Sequence, residues 1–348
     1  MKKSKLSVAL LTACMAATLL AGCGDKKTET TEATTEATTE AATEAATTTE
    51  ATVADAAASE ADADEDENYE TGDASLDNVR NQDEIGDNEL LVVSFGTSFN
   101  DSRRLTIGAI ENKLDEEFGK DYSVRRGFTS QIIIDHVKRR DGIAIDNMTE
   151  ALDRAVDNGV KNLVIQPTHL MNGLEYTDVV NEVGDYADAF DQVVIGDPLL
   201  TSDEDFDEVV KAITDATAEY DDGETAICFM GHGTEADSNE VYQKMQDKLT
   251  DAGFENYFVG TVEATPSVDD VLAKVQAGDY KKVVLEPLMI VAGDHANNDM
   301  AGDDEDSWKS QFTASGNFDS VDTQIAGLGE IEAVQKLYVE HTKKAIES

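Results

Sequence analysis

The segment Ile227–His232, which reads ICFMGH, carries the clearest fold signal in the 348-residue chain, and the segment Val92–Thr97, VVSFGT, is similar to it. Each is a short apolar run that ends in a glycine turn followed by a polar residue. Short β-rich runs of this kind alternate with amphipathic stretches from Glu89 onward. Strands that alternate with helices are typical of parallel sheets with helices on both faces. The sequence therefore predicts an α/β fold with doubly wound parallel sheets.

Eight segments have the apolar, β-branched composition of strands in such a sheet. The predicted strands are Leu90–Phe95, Tyr122–Phe128, Asn162–Gln166, Gln192–Ile195, Thr225–Met230, Asn256–Val262, Lys282–Leu285 and Ser320–Ile325. The amphipathic stretches between them include Ser102–Phe118, Thr149–Asn158, Asp203–Tyr220 and Asn239–Ala252. We expect a closing C-terminal helix over Glu330–Ile346.

The alternation of strands and helices runs through this part of the chain twice. Leu163–Pro167 and Val283–Pro287 are matching predicted strands that end in proline. A glycine follows each proline by six residues, and a potential ligand, Glu175 or His295, follows it by eight. Strand–turn–helix units share turn residues, so a chance similarity is the alternative to a true repeat.

A true repeat predicts two similar α/β domains, residues 89–198 and residues 199–348, that face each other across a cleft. We expect the seam between them near Pro198–Asp203. In this alignment Thr97 of the first copy is equivalent to His232 of the second.

The beginning of the chain has the pattern of an exported, lipid-anchored protein. Residues 1–22 combine a basic start with a short apolar run, which is typical of an export signal and too short for a stable membrane span. The run ends in Leu20–Cys23, LAGC, which is similar to the bacterial lipobox, in which the cysteine becomes the lipidated first residue. An ordinary cleaved signal is the alternative. We expect an extracytoplasmic protein held to the cell membrane by a lipid on Cys23.

Acidic residues dominate the chain that follows. Residues 23–88 are almost entirely Thr, Glu, Ala and Asp, a composition that cannot bury enough apolar surface to offset the entropy of folding. We therefore expect a disordered acidic tether there. The formal net charge of the whole chain is −46, which excludes nucleic acid as a partner because the phosphates would be repelled.

The chain has five histidines, and three of them follow predicted strands. We expect His136 to be structural. His341 lies on the predicted last helix beside Lys343 and Lys344, and we expect it to be solvated.

Three ligand-type side chains follow consecutive strands of the second repeat: His232, Glu263 and His295. The carboxyl ends of parallel strands meet at one edge of the sheet, where open α/β folds bind their ligands. Two imidazoles and one carboxylate suit Co²⁺, Fe²⁺, Ni²⁺ or Zn²⁺. Three protein ligands leave coordination positions open, as a catalytic or transfer site requires. A single histidine after a strand is more often structural, but three ligands in equivalent loops favour a metal site.

Seven segments together make the chain resemble the anaerobic sirohydrochlorin cobaltochelatases, class II chelatases related to protoporphyrin ferrochelatase. The segments are VVSFGTSFNDS (92–102), RGFTS (126–130), RDGIAI (140–145), QPTHLMNGLEY (166–176), MGHGT (230–234), GTVE (260–263) and PLMIVAGDHANNDMAGDDEDSW (287–308). The resemblance covers about residues 88–348, and the set is highly specific although no single segment is.

The resemblance implies two chelatase-like α/β domains with a tetrapyrrole cleft between them. It implies insertion of Co²⁺, with Fe²⁺ or Ni²⁺ as further candidate metals, into a sirohydrochlorin-type tetrapyrrole in anaerobic cobalamin biosynthesis. His232, Glu263 and His295 match the metal-binding residues of the family. His232 also matches the proton acceptor, and Glu175 matches an acidic catalytic residue.

The matching segments also contain Thr97, Ser98 and His169, which we assign to substrate binding. The implied partners are a tetrapyrrole and a divalent metal, both as substrates. The resemblance implies no organic cofactor, and the sequence has no phosphate loop of the Walker type.

Two features depart from what the resemblance implies. After MGHGT the family tends to have a histidine-rich stretch, whereas this chain has the acidic segment Glu235–Asn239. A polyanionic tetrapyrrole also needs basic residues, and the candidates are Arg103, Arg104, Arg125 and Arg126, with ordinary surface ion pairs as the alternative.

Export favours a competing function. Tetrapyrrole synthesis is normally cytoplasmic, so the alternative to an enzyme is an exported carrier of metal or haem built on a chelatase fold.

Overall fold

A computed structural model describes residues 71–83 and 85–348. The predicted signal peptide, Cys23 and the tether as far as residue 70 lie outside the described residues. Among the residues that are described, no helix is both long and apolar enough to span a membrane.

The first half is built on a four-stranded parallel sheet. Its strands are β1 (Asn88–Ser94), β2 (Ser123–Phe128), β3 (Asn162–Pro167) and β4 (Gln192–Ile195). They lie in the order β2-β1-β3-β4, and every neighbouring pair is parallel. Burial on both faces explains why these strands are continuous apolar runs.

The second half repeats this arrangement. Its strands are β5 (Thr225–Gly231), β6 (Tyr257–Thr261), β7 (Lys282–Pro287) and β8 (Ser320–Thr323), in the order β6-β5-β7-β8. All neighbouring pairs are again parallel. The predicted α/β class and all eight predicted strands are confirmed, with ends that differ by at most two residues.

Ten helices flank the two sheets in the described part of the chain. They are α1 (Asn100–Leu105), α2 (Ile107–Phe118), α3 (Gln131–Asp141), α4 (Met148–Asp157), α5 (Leu174–Asp185), α6 (Asp203–Ala216), α7 (Glu240–Asp251), α8 (Val268–Gln276), α9 (Trp308–Ala314) and α10 (Glu332–Glu347). Several begin at side-chain caps, including capping boxes at Asn147, Ser202 and Ser267. The predicted helix 102–118 is interrupted at Thr106, whose hydroxyl donates to Ser102 O at 2.6 Å.

Strand pairing fixes the alignment of the two halves. Val93 pairs with Pro167 in the first sheet, and Met230 pairs with Pro287 in the second, so Val93 and Met230 are equivalent. His232 is therefore equivalent to Phe95, not to Thr97.

The predicted equivalence of Thr97 with His232 is wrong by two residues because the wrong glycine was matched. Strand β5 continues through Gly231, and the glycine that turns the chain is Gly233, with φ +93°. Its counterpart is Gly96, with φ +106°. Such a backbone conformation is readily available only to glycine. The equivalence of Glu175 and His295, which follow the paired prolines by eight residues, remains intact.

Helix α10 packs on the first sheet, although it follows the second sheet in the sequence. Tyr338 donates to Thr168 O at 2.9 Å, and the hydroxyl of Thr342 donates to the Gln166 side chain at 2.8 Å. A chain that crosses back in this way joins the two halves, and one apolar core contains residues of both.

The prediction that His341 is solvated is wrong. Its side chain is buried, with Nε2 2.9 Å from Asp205 Oδ1 and Nδ1 3.1 Å from Asp197 O. His341 follows Tyr338 by three residues and so lies on the inner face of α10, whereas Lys343 and Lys344 lie on the outer face. His136 is buried, as predicted.

The expectation of a tether as far as residue 88 is also wrong at its end. Residues 71–83 and 85–87 pack against the first half, and Thr71 and Arg80 are buried there. Asp77 forms ion pairs with Arg103 and Arg126, both at 2.7 Å. The acidic composition concealed this segment because ion pairs and hydrogen bonds, not apolar side chains, hold it in place.

Three of the four arginines proposed for the substrate are unavailable to it. Arg103, Arg125 and Arg126 are fully buried and paired with carboxylates of the first half, which makes them neither substrate ligands nor surface ion pairs. Arg104 is 34 % exposed and pairs with Asp101 at 3.1 Å, which fits the surface alternative.

Candidate metal centre

The strand order places the candidate ligands around one point of the second sheet. The chain leaves β5 toward β6 on one side and returns to β7 on the other, so the strand order reverses between β5 and β7. Ligands of open α/β sheets bind at this reversal, outside the carboxyl ends of the strands. His232 directly follows β5, Glu263 follows β6, and His295 lies in the loop after β7.

The three side chains come together as the sequence predicted. One donor atom from each of His232, Glu263 and His295 lies within 4.8 Å of the other two. His232 Nε2 is 3.8 Å from Glu263 Oε1, and the two imidazole rings meet edge to face with centroids 4.6 Å apart. The side chains are 33 %, 49 % and 32 % exposed, respectively. Small rotations would bring all three onto one cation from a solvent-accessible side.

Backbone contacts hold the His232 loop close to Glu263. The amides of Val262 and Glu263 both donate to His232 O, at 3.1 and 2.9 Å. Gly233 packs so tightly that a Cβ there would lie 2.8 Å from Ala264 N. A glycine is therefore required both for the turn and for the close approach of the two loops.

Hydrogen bonds select the ring nitrogen that each histidine offers to a metal. His232 Nδ1 is 2.8 Å from Gly233 O, and His295 Nδ1 is 2.7 Å from Asp299 Oδ2. A carbonyl and a carboxylate both accept, so the Nδ1 atoms carry the protons and donate. The Nε2 lone pairs are then directed to the metal position, and the acceptors fix the ring orientations.

The surroundings of His295 are acidic. Burial lowers the pKa of His295, but the hydrogen bond that its ring donates to Asp299 and the charges of Asp299, Asp294 and Glu263 outweigh it, so the pKa lies above its usual range. Asp294, His295 and Asp299 also form a second group with the geometry of a metal site. Both groups favour a cation next to His295.

Loops of the first half face this centre. A Cβ added to Gly293 would lie 2.9 Å from Thr97 Oγ1. A Cβ added to Gly173 would lie 3.4 Å from Ser238 Oγ. Ala292 N donates to Ser102 Oγ at 2.9 Å. The strand-end loops of the two halves therefore meet next to the metal ligands.

Glu175 and His169 form a pair on the first-half side. Glu175 lies in the first turn of α5 and is 52 % exposed, and its Oε2 is 4.0 Å from His169 Nε2. Burial lowers the pKa of His169 to about 4, so its ring is neutral, and neither ring nitrogen has a hydrogen-bond partner among the described residues. The group of possible ligands formed by His232, Glu263 and His295 does not include Glu175, and the predicted catalytic role of Glu175 stays a prediction.

Thr97 and Ser98 are buried and shape their own loop. Thr97 Oγ1 accepts from Phe99 N at 3.2 Å, Thr97 O accepts from Arg103, and Ser98 O accepts from Arg140 at 2.6 Å. Direct contact of these residues with a substrate stays a prediction, as does that of His169.

Two residues that support the candidate ligands were not predicted from the sequence. Asp299 lies four residues after His295, the spacing of one helical turn, and this spacing could have revealed it. Tyr242 accepts from Gly233 N at 3.2 Å and supports the His232 loop. Burial, with a smaller contribution from the Glu175 charge, raises the pKa of Tyr242 to about 12, against the opposing effect of its backbone hydrogen bonds.

Known proteins share both the sequence and the fold. A sirohydrochlorin cobaltochelatase of Salmonella typhimurium is 37% identical over 257 residues, which cover 74% of this chain and 96% of the relative. The sirohydrochlorin cobaltochelatase CbiKC of Nitratidesulfovibrio vulgaris is 29% identical over 279 residues, 78% of this chain and 96% of that protein.

Among solved structures, SirB from Bacillus subtilis with Fe³⁺ has a TM-score of 0.53 at 14% identity, covering 74% of this chain and 95% of that chain. The sirohydrochlorin chelatase SirB from Bacillus subtilis subspecies spizizenii, in complex with cobalt, has a TM-score of 0.51 at 14% identity and covers 75% and 95%, respectively. These two show the fold. The model of the cobalt chelatase (CbiK) family matches residues 88–347, and the chain therefore belongs to this family of cobalt chelatases.

Proposed function

We propose that the protein inserts Co²⁺ into sirohydrochlorin and works outside the cytoplasm, held to the membrane by a lipid on Cys23. The observation that carries the enzymatic part is the convergence of His232, Glu263 and His295 within 4.8 Å at the reversal of the second sheet. The relatives that are named sirohydrochlorin cobaltochelatases support this choice of metal and tetrapyrrole.

The donor set suits the metal substrate. Two imidazoles and one carboxylate form a borderline set that binds Co²⁺, Fe²⁺ and Ni²⁺, and three ligands leave positions open for the incoming tetrapyrrole nitrogens. Fe²⁺ and Ni²⁺ are the further metals we propose to test.

Two groups are placed to take the two protons that insertion releases. The macrocycle loses two pyrrole N–H protons as the dication enters, and each needs an acceptor. His232 Nε2 holds a lone pair that binds the metal first and becomes free to accept a proton once the metal has left. Glu175, in the first turn of α5 in the other half, is the second acceptor.

The insertion reaction can be followed directly. Purified protein is incubated with sirohydrochlorin and Co²⁺, and the absorption spectrum is recorded against time. We expect accelerated formation of the cobalt chelate, and little acceleration with His232→Ala, which loses a metal ligand and a proton acceptor. Glu116→Gln is the matched control, because this side chain is 72 % exposed on α2. Metal binding without insertion would contradict the enzyme and favour a carrier.

The lipid anchor rests on the lipobox alone. We expect intact-mass measurement of the protein from its native membrane to show an acylated chain that begins at Cys23. A soluble protein cleaved elsewhere would contradict the anchor and leave the enzymatic part of the proposal untouched.

A further inference from the structure

The segment 71–87 precedes the part of the chain that matches the family, which begins at residue 88. We refer to residues 71–83 and 85–87 as the strap. The strap runs beside β2, the edge strand of the first sheet, in the opposite direction. Arg126 N donates to Arg80 O at 3.2 Å, the Gln82 side chain donates to Val124 O at 3.1 Å, and Ser123 Oγ donates to Ile85 O at 2.9 Å. The strap therefore covers an otherwise open sheet edge.

The strap also adds charged side chains to a buried cluster of the first half. Arg103, Arg126 and Glu111 are all fully buried, and Arg80 of the strap adds a third cation, 3.5 Å from Glu111. Asp77 is the second anion. Its Oδ2 accepts from Arg103 Nε and from Arg126 Nη1, both at 2.7 Å, and its Oδ1 accepts from Arg126 Nη2 at 3.0 Å.

Arg103 connects this carboxylate to the loops around the metal centre. Besides Asp77, it donates to Thr97 O at 3.1 Å and to the Asn100 side chain. Thr97 in turn packs against Gly293, two residues before the metal ligand His295. The strap also contacts the start of α1, which directly follows the Thr97 loop. Asp101 N donates to Thr71 O at 2.8 Å, and the Asn100 amide donates to Gly72 O at 3.2 Å.

We infer that the strap sets the position of the Thr97 loop against the His295 loop, and that Asp77 is a positioning residue for the reaction. Asp77 does not touch a substrate. It holds Arg103, Arg103 holds Thr97, and Thr97 sets how closely the two halves approach at the metal centre. The inference rests on the proposed function only where the KM for sirohydrochlorin is measured.

The test compares Asp77→Asn with Asp83→Asn in the full mature chain. Both remove one strap carboxylate, but Asp83 is 60 % exposed and pairs with the partly exposed Arg154 rather than with a fully buried arginine. For Asp77→Asn we expect faster amide hydrogen exchange at residues 96–103 and 289–296, with no change in β5–β7. We expect the KM for sirohydrochlorin to rise about 10-fold or more, while Co²⁺ affinity by calorimetry stays near that of the wild type, because all three ligands lie in the second half. Asp83→Asn should leave all of these unchanged.

A lower melting temperature of Asp77→Asn with unchanged local exchange and an unchanged KM would overturn the inference and leave Asp77 a purely structural residue. If Asp77→Asn does not fold, Arg103→Lys takes its place, since it keeps the charge next to Asp77 but loses the reach to Thr97 O. Unchanged exchange and KM in that variant would equally overturn the inference. Hydrogen exchange tests the inference even if the wild-type protein does not insert cobalt. A failure of the wild-type protein to insert cobalt would contradict only the proposed function.

Discussion

The tautomers of the two metal-binding histidines are set by their immediate neighbours. Gly233 O and Asp299 accept from the Nδ1 atoms, so both rings present Nε2 to the candidate metal position. Only small rotations of these rings are then needed when a metal binds, which favours its capture.

The different roles proposed for the two halves predict different mutant behaviour. His295→Ala removes one of three metal ligands, so we expect it to weaken Co²⁺ binding and abolish insertion. Glu175→Gln leaves the ligand set intact but removes a proton acceptor. We expect near-native Co²⁺ affinity and insertion slowed by about 10²–10⁴-fold. Calorimetric titration with Co²⁺ and the insertion assay measure both.

Glu182→Gln, two turns along the same helix α5, is the control for Glu175→Gln. An equal loss of Co²⁺ affinity in Glu175→Gln and His295→Ala would make Glu175 a metal ligand. The division of roles between the two halves would then be wrong.

Replacing a partly buried carboxylate of the second sheet should stabilise the protein in a pH-dependent way. Glu286 in β7 lines a cavity of about 160 Å³, and burial, reinforced by Glu219, raises its pKa to about 7 from an ordinary 4.5. Since the folded state binds the proton more tightly than the unfolded state, the ionised carboxylate lowers stability as the pH rises from about 4.5 through about 7. The equivalent residue of the first half is Gln166, a neutral side chain of the same length.

We therefore expect Glu286→Gln to be more stable than the wild type at pH 8, by about 1–3 kcal/mol. The difference should shrink toward zero as the pH falls to about 4.5. Urea denaturation across this pH range measures the free energy of unfolding of both proteins. A pH-independent difference would show that Glu286 does not titrate with a raised pKa.

At the level of elements, the strap is part of the folded unit although its composition is that of a tether. A chain that begins at Asn88 lacks Asp77 and leaves a buried arginine without its counter-charge. Breaking a buried ion pair by removing one partner typically costs about 3–5 kcal/mol. We expect a loss of that order against a chain that begins at Thr71, measured by urea denaturation. Equal unfolding midpoints would show that the strap contributes nothing to stability.

The metal centre depends on three elements that end at one point. Strands β5, β6 and β7 each deliver a ligand because the order β6-β5-β7 brings their carboxyl ends side by side. The first half has the same strand order but carries Phe95, Ser130 and Glu175 at the equivalent positions. The candidate metal ligands therefore lie in one repeat only, and the other carries an aromatic ring, a hydroxyl and a carboxylate at the equivalent positions.

For the whole molecule, helix α10 connects the end of the chain to the first half. His341 contributes through both ring nitrogens, which lie 2.9 Å from Asp205 Oδ1 and 3.1 Å from Asp197 O. His341→Phe keeps the ring but leaves these buried acceptors without that partner. We expect a loss of about 1–3 kcal/mol, with the melting temperature and urea denaturation as measurements. Lys343→Ala, at an exposed position of the same helix, is the control, and an equal effect of both variants would contradict a specific role for His341.

The sequence alone predicted the fold class, the eight strands, the repeat and the three candidate metal ligands that the structure brings together. These features depend on local patterns, namely apolar runs, turn glycines and a polar side chain at the end of a strand, and a local pattern can be seen without knowing what packs on it. His232 and Glu263 could be predicted because each closely follows such a run, and His295 because it follows the strand-ending Pro287 by the same eight residues that separate Glu175 from Pro167.

The tertiary structure alone decided which glycines correspond, what the arginines pair with, where His341 lies and where the tether ends. Each of these depends on partners distant in the chain. Asp77 lies in an acidic stretch that has no apolar pattern, and only the two buried guanidinium groups show why it is ordered. Charges and hydrogen bonds between distant residues leave no periodic signal in a sequence, because either partner alone looks like an ordinary solvated side chain.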